Sequence, residues 1–175
     1  MLAKSGCRWL EVGIETLNQH TQDIFKQRVK IATAEEILKR IRDAGIATCS
    51  FMVNGFPDQT TDEMNRSIDA TCELIQRDLL QASYLQVLVP YPGGDLFEHP
   101  EHYGMRLNHK KYELYSEDMS PVFDSAFATA EESYAVFKAG LTKLTEAMEK
   151  KPYFGPAPQQ DERRLYGRFW AGSHA

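Results

Sequence analysis

The sequence predicts an α/β fold built on a short parallel sheet, and three observations carry that expectation. Residues 9–14 (WLEVGI), 47–53 (ATCSFMV) and 82–89 (ASYLQVLV) are brief, nearly continuous apolar runs with the length of buried strands. Between them lie amphipathic stretches long enough to serve as crossover helices. Each run closes on a turn containing glycine or proline. Strand, helix, strand, helix, strand is the order of βαβ units, in which the strands pair in parallel.

Residues 1–6 read as the last turn of a helix, and the first strand follows almost at once. A polar stretch with Ile24 and Phe25 comes next, as a short helix or loop. Thr33 and Glu36 have the spacing of a capping box, so a helix is expected to begin at Thr33. Ile37, Leu38 and Ile41 would form its apolar face, with Lys39, Arg40 and Arg42 toward the C-terminal end and Gly45 as a left-handed stop. After the second strand and the turn Asn54-Gly55-Phe56-Pro57, Thr60 and Glu63 repeat the capping spacing. Met64, Ile68, Cys72 and Ile75 then recur at helical steps to about Arg77. Pro90-Tyr91-Pro92-Gly93-Gly94 ends the third strand.

Beyond Gly94 the pattern changes. Residues 95–128 are aromatic and loop-rich, Thr129 and Glu132 form a third capping signature, and Val136, Phe137, Leu141, Leu144 and Met148 give the following helix an apolar face. The expected division is 1–94 for the βα units, 95–150 for an extension with one amphipathic helix, and 151–175 for a tail.

Composition narrows the function classes. Of the 175 residues 42% are hydrophobic and 26% charged, as in globular proteins, and the net charge is −5. That balance supplies no basic surface for nucleic acid, and no apolar run approaches the roughly 20 residues that cross a bilayer. Three well-separated cysteines, Cys7, Cys49 and Cys72, offer no disulfide framework, and the expected location is the cytoplasm. There is no G-x-G-x-x-G or P-loop after any strand, and no G-x-S-x-G elbow, which argues against a doubly wound nucleotide-binding protein and an esterase.

Four short motifs stand in succession: Gly13-Ile14-Glu15-Thr16, Gly45-Ile46, Asn54-Gly55-Phe56-Pro57 and Pro90-Tyr91-Pro92-Gly93. In this order and spacing the chain resembles the C-terminal half of a radical S-adenosylmethionine (radical SAM) enzyme barrel. It is most similar to the group that often carries an N-terminal cobalamin-binding domain, whose GIES-, GFPGET- and PYPGTPL-like segments read here as GIET, GFPDQT and PYPGGDL. The resemblance covers about residues 1–150. It implies a partial (β/α) TIM-like barrel, three parallel βα units forming strands four to six of a (β/α)6 barrel, followed by the helical extension. It also implies S-adenosylmethionine and a 4Fe–4S cluster as cofactors, with cobalamin-dependent methyl transfer as one form of the chemistry. The substrate, and any catalytic residue, are left unassigned.

The family's cluster is held by a CxxxCxxC loop, and Cys7, Cys49 and Cys72 lack that spacing. By itself the chain is expected to be inactive and to need the missing N-terminal half of the barrel as partner. Isolated, its first strand would lack a neighbour and favour self-association. The alternative reading is a non-catalytic α/β binding or interaction module that keeps the fold.

Barrel enzymes place their sites at the C-terminal ends of strands. The resemblance accordingly assigns Glu15 to the ribose hydroxyls of the cofactor, or else to a plain helix cap. Arg28 would reach the cofactor carboxylate, or remain a solvated surface cation. Phe51, Asn54 and Gly55 would line the adenosyl pocket, or make an ordinary turn, and Leu88 and Pro90 would offer an apolar surface to the adenine. His99, His102 and His109 lie close in sequence, but the spacing is not that of a tetrahedral site and Pro100 interrupts it, so no metal site is assigned. Arg163, Arg164, Arg168, Phe169 and Trp170 read as a docking or disordered end.

Overall fold

In the computed structural model, which describes residues 1–25, 30–109, 111–117 and 121–150, the three apolar runs become β1 (Trp9–Glu15), β2 (Ala47–Asn54) and β3 (Ala82–Val87). They form one parallel sheet in the order β1-β2-β3, with Trp9 opposite Ala47 and Cys49 opposite Ala82. The connections are α1 (Gln19–Phe25) and α2 (Ile31–Asp43) after β1, and α3 (Thr61–Gln76) after β2. Residues 2–5 form a 3-10 turn closed by Gly6 in the left-handed conformation, the short helical end read from the sequence.

Two of the three capping boxes form. Thr60 accepts from the Glu63 amide at 3.3 Å while the Glu63 carboxylate accepts from the Thr60 amide at 2.8 Å. Thr129 and Glu132 repeat the arrangement at the start of α5 (Ala130–Glu149). The third does not form. The helix starts at Ile31, ahead of Thr33, with Lys30 as N-cap and no side-chain cap bond. The reason is non-local: Gln19 of α1 accepts from the Ile31 amide at 3.0 Å, and the Thr33 amide is already bonded to Lys30 O at 2.9 Å. The shift also leaves Ile37 49% exposed, while Leu38 at 3% carries the contact with the core.

The core lies on one face of the sheet, under α3 and α5. Ile14, Met52, Leu85 and Val87 meet Met64, Ile68 and Ile75 of α3 and Val136, Phe137 and Leu144 of α5. Close approach of α5 depends on Gly140, where a Cβ would stand 2.6 Å from Ile68 Cδ1 and 2.9 Å from Leu85 Cδ2. Residues 95–128 hold α4 (Asp95–Glu98) and a small antiparallel pair, β4 (Met105–Leu107) with β5 (Phe123–Ser125). This segment also bonds to the end of the outer strand, where Val87 N donates to Glu117 O at 2.8 Å. Among the described residues no strand pairs with the other edge, on β1. The tail cluster Arg163, Arg164, Arg168, Phe169 and Trp170 lies outside the described residues, as does Arg28.

The capping carboxylates give the fold a signature in acid. The Thr60 amide, then its hydroxyl, hold Glu63 below the ordinary glutamate value of 4.5, and Thr129 does the same for Glu132. A lowered folded-state pKa means a contribution complete above the unfolded value and lost as pH falls through the folded one. Stability to urea should therefore decline below about pH 4.5, and the decline should be shallower in a Glu63→Gln/Glu132→Gln variant, whose caps no longer titrate. Superimposable acid limbs for the two proteins would refute this origin.

Candidate functional site

Alternation along the strands divides the sheet into two unlike faces. Ser50, Met52 and Asn54 of β2 lie in register with Ser83, Leu85 and Val87 of β3, and all of them are buried toward the helices. The opposite face carries Gly13, Phe51 and Tyr84 in one register row, with Gln86 one step further along β3. The Phe51 and Tyr84 rings stack at 5.3 Å between centroids. Gln86 Nε2 donates to Glu117 Oε2 at 2.6 Å, and the Tyr91 hydroxyl donates to Glu117 Oε1 at 3.1 Å. This face is therefore aromatic and polar, while the core face is aliphatic.

Glu15 ends β1 on the same side. The ladder bulges between Gly13 and Glu15, so that β1 carries one more residue than β2, and Glu15 has φ 68°. A non-glycine residue in that region is uncommon and is retained only where its surroundings enforce it. The carboxylate folds back over Gly13, where a Cβ would stand 2.8 Å from Glu15 Oε1. The absent side chain at Gly13 is thus what gives the carboxylate its place above the aromatic row.

A buried polar network holds this strand end. Gln22, 0% exposed, donates through Nε2 to Ile14 O and to Thr16 O (2.8 Å), the carbonyls on either side of Glu15. Gln59 Nε2 donates to Thr16 Oγ1 at 2.9 Å and to Thr21 Oγ1 at 3.2 Å, and Thr21 Oγ1 donates to Asp58 Oδ2 at 2.7 Å. Ser67 of α3 accepts from the Leu17 amide at 2.7 Å. The GIET and GFPDQT segments, distant in sequence, are thereby joined into one support.

The structure separates the residues expected at the site. Glu15 and Phe51 share the aromatic face, and Leu88 follows Gln86 at the next alternate position, its amide donating to Asn54 O at 2.8 Å. Pro90 is buried beyond the strand end. Asn54 turns the other way: its Nδ2 donates to Ser133 O of α5 at 3.0 Å, and its buried Oδ1 has no partner among the described residues. Gly55, at φ 86°, lies against the Ser133 side chain. These two residues shape the turn and seat α5. The cavity between the sheet and α3, lined by Met52, Asn54, Gln59, Ser67 and Leu144 among others, is on that side too, within the core. Sequence reasoning missed Tyr84, Gln86 and Glu117. The strict alternation of ASYLQV, with Ser83, Leu85 and Val87 buried, is the signal for the first two.

The cysteines do not fit a cluster. Cys49 is buried in β2, and burial, with the charge of Glu11 added, pushes its thiol up to about 12. Cys72 lies on α3 against the core, its thiol also raised by burial, and Cys7 precedes β1 with its thiol donated to Trp9 O. Iron–sulfur ligation needs converging thiolates, and these three lie ahead of β1, within β2 and on α3.

Against this geometry, the radical SAM superfamily model matches residues 1–70. That stretch is less than half of the 175 residues. A curated relative, the bacteriochlorophyllide d C-12(1)-methyltransferase of Chlorobaculum tepidum, is 25% identical over 119 residues, covering 66% of this chain and 25% of that protein. Among solved structures, the radical S-adenosylmethionine methyltransferase TsrM from Kitasatospora setae, with cobalamin and a [4Fe–4S] cluster bound, superposes with a TM-score of 0.51 at 18% identity. That match covers 75% of this chain and 26% of TsrM, and it shows a shared α/β fold. The chain thus spans about a quarter of the length of both of these proteins. Among the described residues no helix is long and apolar enough to cross a membrane.

Proposed function

We propose that residues 1–94 supply strands four to six of a (β/α)6 radical SAM barrel, with 95–150 as its C-terminal extension and 151–175 as a tail. The sheet face bearing Glu15, Phe51 and Leu88 would then look onto bound S-adenosylmethionine. The observation that carries this reading is Glu15: a carboxylate in a strained conformation at a strand end, cradled over Gly13 and locked from behind by Gln22. Strain of this kind concentrates at functional sites.

In this arrangement Glu15 accepts hydrogen bonds from the ribose hydroxyls. Phe51, backed by Tyr84, walls the nucleoside, and Leu88 and Pro90 offer an apolar edge to the adenine. Asn54 and Gly55 position the turn through α5, and Arg28 would pair with the cofactor carboxylate. The bound cofactors supply radical chemistry, with cobalamin-dependent methyl transfer the form that the relatives' names favour. The cluster ligands would come from polypeptide outside these 175 residues, since Cys7, Cys49 and Cys72 do not fit. That same misfit favours a second reading, an α/β module that keeps the fold without the reaction.

The two readings part on the cofactor. Titration of the chain with S-adenosylmethionine, followed by amide NMR shifts, should perturb Glu15, Phe51 and Leu88, and Glu15→Gln should weaken the binding about tenfold. A Glu15→Gln protein that binds as the parent does, or shifts confined to the α5 side, would reject the assignment.

A further inference from the structure

We propose a binding site for a divalent late-transition-metal ion, Zn²⁺ in the first instance, formed by His99, Glu101 and His102 on the turn between α4 and β4. This inference stands apart from the radical SAM reading. Pro100–Tyr103 form a 3-10 turn with His99 as its N-cap. In a 3-10 turn residues i and i+3 eclipse one another, whereas an extended loop would separate them. His99 and His102 accordingly stack, with ring centroids 5.1 Å apart and planes at 19°.

Between them Glu101 presents a carboxylate. Its Oε1 is 3.9 Å from His99 Nδ1 and 3.9 Å from His102 Nε2, and the three ligand atoms lie within 4.8 Å of one another. Zinc binds nitrogen and oxygen at about 2.0–2.2 Å, which places neighbours in a tetrahedral shell about 3.4 Å apart. All three side chains are exposed, so rotamer changes alone can close the remaining ångström or so.

The backbone is fixed before any ion arrives. Proline sets φ at the first position of the turn, and Gly104 ends it in the left-handed conformation at φ 61°. His99 N donates to Asp95 O at 2.8 Å and His102 N to His99 O at 3.0 Å. Two imidazoles with one carboxylate suit zinc, copper or nickel, in contrast to the all-oxygen shells of calcium and magnesium. The fourth position would be open to water. Tyr103, within the turn, stacks on Phe25, and Phe25 packs on Phe56 before α3, so an ion here would stiffen the segment that touches the GFPDQT turn.

The test is a titration of the full chain with Zn²⁺ against a chromophoric chelator, with histidine side-chain NMR as the second readout. One equivalent should bind at micromolar concentration, with shifts at His99 and His102 and none at His20. His99→Ala and His102→Ala should each weaken binding at least tenfold, Glu101→Gln should weaken it less, and far-UV circular dichroism should confirm that every variant is folded. Binding unchanged in His99→Ala/His102→Ala would put the ion elsewhere, for example at Cys7, and would overturn the proposal. So would the absence of binding below millimolar zinc.

Discussion

Gln22→Leu should destabilise the fold by about 1–3 kcal/mol and loosen the end of β1 in the same step. Leucine has nearly the shape of glutamine but cannot donate. Thr16 O would lose its donor, while Ile14 O would keep only the Thr16 amide at 2.8 Å. Leaving a buried acceptor unsatisfied costs about 1–3 kcal/mol, and the clamped carbonyls lie on either side of Glu15, held at φ 68°. Glu15 would then be free to relax toward ordinary strand geometry, carrying its carboxylate away from Gly13. Urea unfolding measures the first effect and the S-adenosylmethionine titration the second. An unfolding midpoint equal to that of the parent would show that the clamp contributes nothing. Gln22→Glu, which keeps the shape but brings a buried charge, should be worse still.

The second large effect is expected at Leu144. This side chain is 0% exposed on α5, faces the core shared with α3, and borders the cavity behind β2. Leu144→Ala removes three buried carbons, a methine and two methyls, beside space that is already unfilled, so collapse around the deletion is limited. Substitutions of this type cost about 2–5 kcal/mol, rising with the void left behind, and the upper half of that range applies here. Against a typical domain stability of about 5–15 kcal/mol, the loss should be plain in thermal or urea unfolding. A change under 1 kcal/mol would mean that α5 does not seal the core in solution. Leu144→Met, which roughly conserves volume, should restore most of the stability.

What could be read from the residues alone was the part decided locally. Three apolar runs gave three strands within two residues of their ends, and Thr60–Glu63 and Thr129–Glu132 formed the boxes that their spacing announces, because both partners lie within one turn. Thr33–Glu36 has the same spacing and failed, because Gln19, twelve residues before Ile31, had already satisfied the helix start. No local rule carries that information. The site divides along the same line. Glu15 could be picked out because a carboxylate closing an apolar strand needs an explanation, but its support by Gln22, Gln59 and Ser67 depends on three segments meeting. Asn54 shows the limit from the other side. Position at a strand end does not say which face a side chain takes, and its bond to Ser133, 79 residues away, decided the matter.

The way α5 is fitted has a bearing on how the molecule is made. The helix enters beside Gly140 between Ile68 and Leu85, and its Ser133 carbonyl receives the amide of Asn54. During synthesis the strands and α3 emerge first, yet their aliphatic side stays uncovered until nearly the whole of residues 130–149 has left the ribosome. For that interval a nascent chain displays a broad greasy surface together with Asn54, whose acceptor on α5 is still missing. Productive folding of this core therefore waits on α5, and a ribosome that pauses between Gly94 and Thr129 would hold the chain at its most vulnerable to chaperone capture or mispairing.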